Sequence, residues 1–291
     1  MCGRRLKTRF IINPRSGRSR YAAEPVRQYA ARHGAEVVAT ERPRHGSELA
    51  QQAIADGIDL IVAVGGDGTM NEIASVLCGT GATFGLIPCG SGNGLARQLR
   101  IHGSIAHSLG VLREGKTTVI DCGLADGHPF FTVAGLGFEA ELAARFNRLK
   151  SRGFLRYLTS GAKRLHRFES SEYSIVHPEG KDKVRAFTVA VANAAQYGNN
   201  ALIAPGALLD DGLINLTALP PINWWNAPGL FLRMFNGTLS LDPRVRVRVG
   251  NRFVVERRAP GLLHTDGETH DAGTSVEFQV RPACLRIRVP A

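Results

Sequence analysis

The sequence predicts a chain of two halves, a parallel α/β half followed by a mainly antiparallel β half, and three observations predict it. The 291 residues are enough for two domains at about 100–200 residues each. Through about residue 123, short apolar runs alternate with helically spaced segments, the grammar of a parallel sheet covered by helices. Beyond that point strand-like segments follow one another at turn-punctuated spacing, as in an antiparallel sandwich or barrel. The composition switches near Asp121 to Gly127, which gives domains of 1–123 and 124–291.

In the first half RFIIN (9–13), AEVVAT (35–40), DLIVAV (59–64) and FGLIP (84–88) read as buried parallel strands, being short, apolar and followed by Gly, Pro or polar turn residues. Between them EPVRQYAARHG, SELAQQAIADG and MNEIASVLCG carry helical spacing and end in glycine, as helix C-termini often do. SIAHSLGVLRE reads as a helix ending at Gly115, and TTVID as the strand after it. That order rejects a P-loop match running from Gly110 to Thr117, because a P-loop needs its strand first and its helix second. In the second half HPFFTVAG, YSIVH, VRAFTVAVANA, GLINLTAL, RVRVRVG, RFVVER, SVEFQV and LRIRV read as strands. One helical segment, 139–168, interrupts them.

The 36 Lys+Arg stand against 25 Asp+Glu, a formal net charge of +11, which predicts an anionic partner: nucleic acid, an acidic membrane surface or a phosphorylated ligand. Hydrophobic residues at 44% and charged residues at 21% exclude a disordered or collagen-like chain. Five cysteines, an odd number without CxxC spacing, indicate neither a disulfide framework nor a zinc knuckle, and a reducing cytosol fits. The start MCGRRLKTRF lacks the apolar run of a signal peptide. Gly212 to Leu232 is uncharged and long enough to span a bilayer, but Pro220, Pro221, Pro228 and three asparagines argue against a transmembrane helix. His264 and His270 match no metal-ligand spacing and read as solvated loop residues.

Two glycine loops carry the chemistry. Val64-Gly65-Gly66-Asp67-Gly68-Thr69 lies between the strand DLIVAV and the helix MNEIASVL, at the carboxyl end of a strand, where open sheets place their ligands. Glycines there let backbone N–H groups approach a phosphate, and the helix N-terminus favours its charge. Asp67 adds a carboxylate able to hold Mg²⁺ on a nucleotide phosphate. Pro88-Cys89-Gly90-Ser91-Gly92-Asn93-Gly94 repeats the strand–loop–helix order. The plain alternative, two tight turns, is weaker for the pair than for either loop alone.

Together with Asn13-Pro14-Arg15-Ser16-Gly17, Gly65 to Glu72, Pro88 to Arg97, Asp121-Cys122-Gly123, Gly135 to Ala140, Asp210 to Leu213 and Asp266-Gly267-Glu268, these segments resemble the diacylglycerol/sphingosine/ceramide lipid kinase family, most closely its small soluble bacterial members. GGDG alone is shared with NAD kinases and phosphofructokinases; the ordered set is specific. The resemblance implies an N-terminal phosphofructokinase-like (NAD kinase-like) domain, a C-terminal β-sandwich, an ATP site in the cleft between them and a last stretch of about ten residues that crosses back to the first domain. It implies that Asn13, Ser16, Thr40, Gly65, Gly66, Asp67, Gly68, Thr69, Glu72, Gly92 and Asn93 surround the nucleotide, with Lys150 and Arg156 as phosphate-contacting cations. It further implies that Asp67 acts through Mg²⁺ and water with Asp121 in the same acidic network, that Glu268 is the general base, and that Leu208, Asp211 and Leu213 form a structural metal site. Gly198-Asn199-Asn200 in place of a glycine run, and GSGN in place of GTxND, leave diacylglycerol, sphingoid base and ceramide open as acceptors.

Eight Lys/Arg and no acid fall between Leu142 and Phe168, and Arg244, Arg246 and Arg248 alternate with valines. Such a strand presents one basic face, towards a lipid headgroup layer or simply as a charged edge. Trp224-Trp225 suits a bilayer interface or packing under a loop. The leading expectation is a cytoplasmic, peripherally membrane-associated ATP:lipid kinase acting at an anionic membrane surface. The alternatives are an NAD kinase, a basic nucleic-acid-binding protein supported by charge alone, and a catalytically silent lipid-binding relative, with a homodimer left open.

Overall fold

A computed structural model describes residues 6–148 and 168–291. The chain divides into two compact units, Met1–Ile120 with Ala283–Ala291, and Asp121–Pro282.

The first unit is built on parallel strands β1 (Thr8–Ile12), β2 (Glu36–Ala39), β3 (Leu60–Gly65) and β4 (Thr83–Pro88) in the order β2-β1-β3-β4. The end of the C-terminal strand, Ser275–Val289, adds a parallel neighbour to β4 through Arg286 and Ile287. Helices α1 (Ser19–His33), α2 (His45–Ala55), α3 (Asp67–Leu77), α4 (Gly94–Gln98) and α5 (Ile105–Glu114) follow the strands. All six residues of β3 are buried, as a strand covered on both faces requires. Phe10, Val26, Val62, Val64 and Ile87 pack into one core cluster. Ser104 caps α5 by accepting the His107 N–H, and Gly115 ends it before β5 (Lys116–Ala125) begins, so the P-loop match is a helix-to-strand junction.

The second unit is a sandwich of two antiparallel sheets. After β6 (His128–Phe130), one sheet takes β7 (Val133–Gly137), β10 (Thr188–Ala192), β11 (Ile214–Leu219), β12 (Arg246–Gly250), β14 (Gly261–Thr265) and β15 (Glu268–Ala272) in the order β12-β11-β10-β7-β14-β15. The other joins β8 (Ser171–His177), β9 (Gly180–Ala186), β13 (Arg252–Arg257) and the start of the C-terminal strand β16. Leu136, Val189 and Leu216 from one sheet meet Ile175, Val255 and Phe278 from the other. Such interdigitation of two inner faces is the usual core of a sandwich. Helix α6 (Phe138–Arg148) follows β7, and helix α7 (Ala227–Asn236) follows β11.

Several expectations change. SVEFQV and LRIRV are one continuous strand. The hairpin β14–β15 was not expected, because Glu268-Thr-His-Asp is polar and reads as loop. Arg244 lies outside β12 and pairs with Asp242 at 2.7 Å, while Arg248 pairs with Asp182 at 2.8 Å; the uniform basic face is thereby reduced. The rest of the basic 142–168 segment beyond α6 lies outside the described residues. Cys78 and Cys284 form a disulfide across 206 residues of sequence, a pairing invisible to local spacing and contrary to the reading of unpaired thiols. His264 is not solvated: it sits on β14 with 5% of its surface exposed.

Candidate active site

In the first unit three loops leave neighbouring strand ends and interlock. β3 ends at Gly65, Gly66 is extended, and α3 starts at Asp67. The Gly66 N–H donates to Ser16 Oγ at 2.7 Å, and Asn13 Nδ2 donates to Thr69 Oγ1 at 2.9 Å. The loop after β1 is therefore tied to the loop after β3. The loop after β4 comes closer still: a Cβ on Gly90 would stand 2.8 Å from the Gly66 Cα. No side chain fits between these backbones, which is why glycine occupies both positions.

Asp67 completes the lock. Its carboxylate accepts the N–H groups of Asn93 at 2.9 Å and Gly94 at 3.0 Å. Asn93 takes the left-handed conformation, φ 52°, and folds its amide back onto both backbone groups of Gly90. Arg97 Nε donates to the Gly92 carbonyl at 3.0 Å. A carboxylate among backbone donors at a helix N-terminus is a hard oxygen ligand of the kind that holds a divalent cation or its water shell. Thr40, at the end of β2, is buried and bonds through its N–H to the Ile12 carbonyl at 2.9 Å. On α3, the Glu72 carboxylate lies against Gly46, where a Cβ would stand 2.7 Å from its Oε2. Gly68 has open space around it. The structure thus brings together Asn13, Ser16, Gly65, Gly66, Asp67, Thr69, Gly92 and Asn93; Lys150 and Arg156 lie outside the described residues.

In the second unit, β14 and β15 are joined by Asp266 and Gly267 at φ 50° and 87°, the doubly left-handed pair that a two-residue hairpin demands. Asp266 is more than a turn residue. Its carboxylate accepts the N–H groups of Phe131 at 2.8 Å, Thr132 at 2.9 Å and Val133 at 3.2 Å, and the Thr132 hydroxyl. Glu268, the first residue of β15, is exposed and opposite Thr265 in the register. The hairpin therefore presents Glu268 from a fixed base.

Asp121 is buried; one of its oxygens accepts the Gly212 N–H at 2.7 Å, and its own N–H donates to the Leu209 carbonyl. It holds the loop carrying Leu208, Asp211 and Leu213. In that loop Asp211 Oδ1 accepts the Leu213 N–H at 3.0 Å. Next to Asp121, burial pushes the Cys122 thiol up to about 12, which disfavours the thiolate.

One group escaped the sequence reading. Glu139, at the start of α6, is buried, accepts a hydrogen bond from the Tyr197 hydroxyl and lies 3.5 Å from His264 Nε2. Gly135 sits opposite His264 in the sheet, and a Cβ on it would overlap the Glu139 carboxylate. The family-like segment Gly135 to Ala140 contained the clue, a glycine and a glutamate four apart, but its partners are 58 and 125 residues away in sequence.

Comparison with known proteins agrees over both halves. Residues 7–125 match the family described as Diacylglycerol kinase catalytic domain, and residues 132–289 match the YegS C-terminal NAD kinase beta sandwich-like domain. The Probable lipid kinase YegS-like protein of Pseudomonas aeruginosa is 30% identical over 84% of this chain and 80% of its own length. That of Xanthomonas campestris is 30% identical over 82% and 80%. A diacylglycerol kinase structure from Bacillus anthracis superposes with a TM-score of 0.75 at 16% identity, covering 98% of this chain and 97% of its own. An NAD kinase from Archaeoglobus fulgidus reaches 0.56 at 14% identity, covering 97% and 93%. With an α/β catalytic half, a YegS-type β-sandwich half and curated relatives aligned across both, this chain belongs to the YegS-like lipid kinase family.

Proposed function

We propose that the protein transfers the γ-phosphate of ATP to a hydroxyl of a membrane lipid such as diacylglycerol or a sphingoid base. The observation that carries this reading is the interlock of three loops by Gly66, Gly90 and Asp67. It gathers backbone donors at strand ends and a helix N-terminus, a fit for a nucleotide's phosphates. Asn13, Ser16 and Thr69 brace the loops; Thr40 and Glu72 flank them. Mg²⁺, when bound, would neutralise charge on the phosphates, with Asp67 as the carboxylate holding it or its water. Glu268 is assigned the acceptor: its carboxylate takes the proton from the lipid hydroxyl as the hydroxyl oxygen bonds to the γ-phosphorus and the bond from that phosphorus to the bridging oxygen breaks, its electron pair leaving with ADP. Positioned proton transfer of this kind is worth about 10²–10⁴ in rate. Asp121 is assigned to the loop of Leu208, Asp211 and Leu213, whose carbonyls and carboxylate suit a structural cation.

Incubation with radiolabelled ATP and a mixed lipid extract, with NAD as a competing acceptor, tests the reading. A labelled lipid product is expected; label in NADP alone would move the assignment to the NAD kinase reading. No helix among the described residues is long and apolar enough to cross a membrane.

A further inference from the structure

Helix α7 is amphipathic in the wrong sense for a helix that only packs on its own domain. Leu230 is buried with Leu239 and Val245, and the Met234 carbonyl accepts the Leu202 N–H at 2.9 Å, which pins one side to the sandwich. Pro228, Phe231, Leu232 and Phe235, at i, i+3, i+4 and i+7, share the opposite face. Phe231 is 45% exposed and Leu232 65% exposed, and the Phe231 and Phe235 rings lie against each other, tilted, with centroids 4.7 Å apart. Just before the helix, Trp224 and Trp225 are 70% and 94% exposed, and just after it Leu241 is 71% exposed. Half of the ten large hydrophobic side chains exposed among the described residues fall between positions 224 and 241.

The tryptophans are not on a slack loop. Asn223 Oδ1 accepts the N–H groups of Trp225 and Asn226 at 3.0 Å each, Asn226 Oδ1 accepts the Asn223 N–H at 2.9 Å, and Asn226 Nδ2 donates to the Pro221 carbonyl at 2.9 Å. The reciprocal bonds hold both rings on a fixed turn. The charge around them is net positive. From Leu213 to Val255 the chain carries Arg233, Arg244, Arg246, Arg248 and Arg252 against one acid, the buried Asp242; Asp242 pairs with Arg233 and Arg244, Asp182 with Arg248 and Glu277 with Arg252, so five cations meet three acids.

We infer that Trp224, Trp225 and the Phe231–Leu232 face of α7 form the surface by which the protein docks onto an anionic lipid bilayer. Indole rings favour the headgroup layer, and an amphipathic helix lying in that layer binds through buried apolar area together with attraction between its cations and anionic lipid. A rigid aromatic turn, a solvent-facing apolar helix side and a local excess of arginine over acid supply each component. The inference rests on the lipid kinase reading for its biological sense, yet its test needs no catalysis.

The chain has two tryptophans in all, so selectively excited tryptophan fluorescence reports this surface alone. Vesicles of phosphatidylcholine with about a third phosphatidylglycerol should shift the emission to shorter wavelength, and brominated lipid should quench it. Phe231→Ser with Leu232→Ser, which leaves both tryptophans and the buried Leu230 in place, should weaken vesicle partitioning about tenfold or more while ATP binding stays unchanged. Sedimentation with vesicles without any change in emission would overturn the inference, since docking would then use another surface. A shift that appears on concentrating the protein without lipid, with dimer in the ultracentrifuge, would overturn it in favour of a second copy. A shift and quenching without any lipid phosphorylation would keep the docking surface and remove the kinase reading.

Discussion

The two acidic residues assigned to the reaction are held in opposite ways. Asp67 in the first unit is bound through both carboxylate oxygens to the N–H groups of the adjacent loop, so its position and that of the loops are one structure. Glu268 in the second unit is exposed at a hairpin, and a different carboxylate, Asp266, fixes the hairpin's base. In the proposed reading the contrast separates two tasks. Phosphates need a rigid array of donors, and preorganisation serves them; an acceptor that arrives from a bilayer needs a carboxylate open to solvent on a stable mount.

The sharpest way to break that contrast is Asp67→Asn. An amide offers one acceptor oxygen where the loop presents two N–H donors, and it loses the charge that a cation needs. Phosphate transfer is expected to be abolished, with the circular dichroism spectrum retained; near wild-type turnover would remove Asp67 from the mechanism. Next is Gly90→Ala, whose methyl group must push Gly66 away. A stability loss of about 1–3 kcal/mol should accompany weakened nucleotide binding by calorimetry, and unchanged ATP affinity would show that the interlock does not shape the site. Asp266→Ala leaves the N–H groups of Phe131 and Thr132 without their acceptor and should cost about 1–3 kcal/mol in chemical denaturation. If the two acids serve separate tasks, that variant loses turnover while ATP affinity persists.

The smallest effect lies away from both sites. The Arg244 guanidinium, bonded to Asp242, holds that carboxyl down to about 2. A folded-state value below the unfolded one means that the stabilisation is complete above about pH 4 and is lost as the pH falls towards 2. Asp242→Asn should therefore differ from the wild type in thermal midpoint at neutral pH, and the difference should shrink over that acid window.

Legibility in the sequence follows the range of the interactions. β1, β3, β4 and their glycine loops were readable because a buried parallel strand is a short apolar run and a phosphate loop is a run of glycines, both local signals. The hairpin at Gly261–Ala272 was not, because β15 is a polar edge strand whose register depends on Asp266 reaching Phe131–Val133, more than 130 residues away. Helix α7 was hidden for a related reason: its apolar side faces out, and Pro228 and the asparagines before it suggest a loop. Glu139, His264 and Tyr197 meet only when β7, β14 and the segment after β10 come together, and the Cys78–Cys284 pair closes only when the C-terminal strand reaches the first unit's sheet. The roles of Glu268 and Asp211 came from the resemblance, since a DGE turn and a DDG turn carry no chemistry by spacing alone.

The central claim, that the first unit holds the nucleotide and Glu268 takes the acceptor's proton, is tested most directly by Glu268→Gln, assayed for ATP binding and for phosphate transfer to lipid vesicles. The account predicts ATP affinity equal to wild type and a turnover lower by about 10²–10⁴. Turnover within a few-fold of wild type, or loss of ATP affinity in step with turnover, would contradict it.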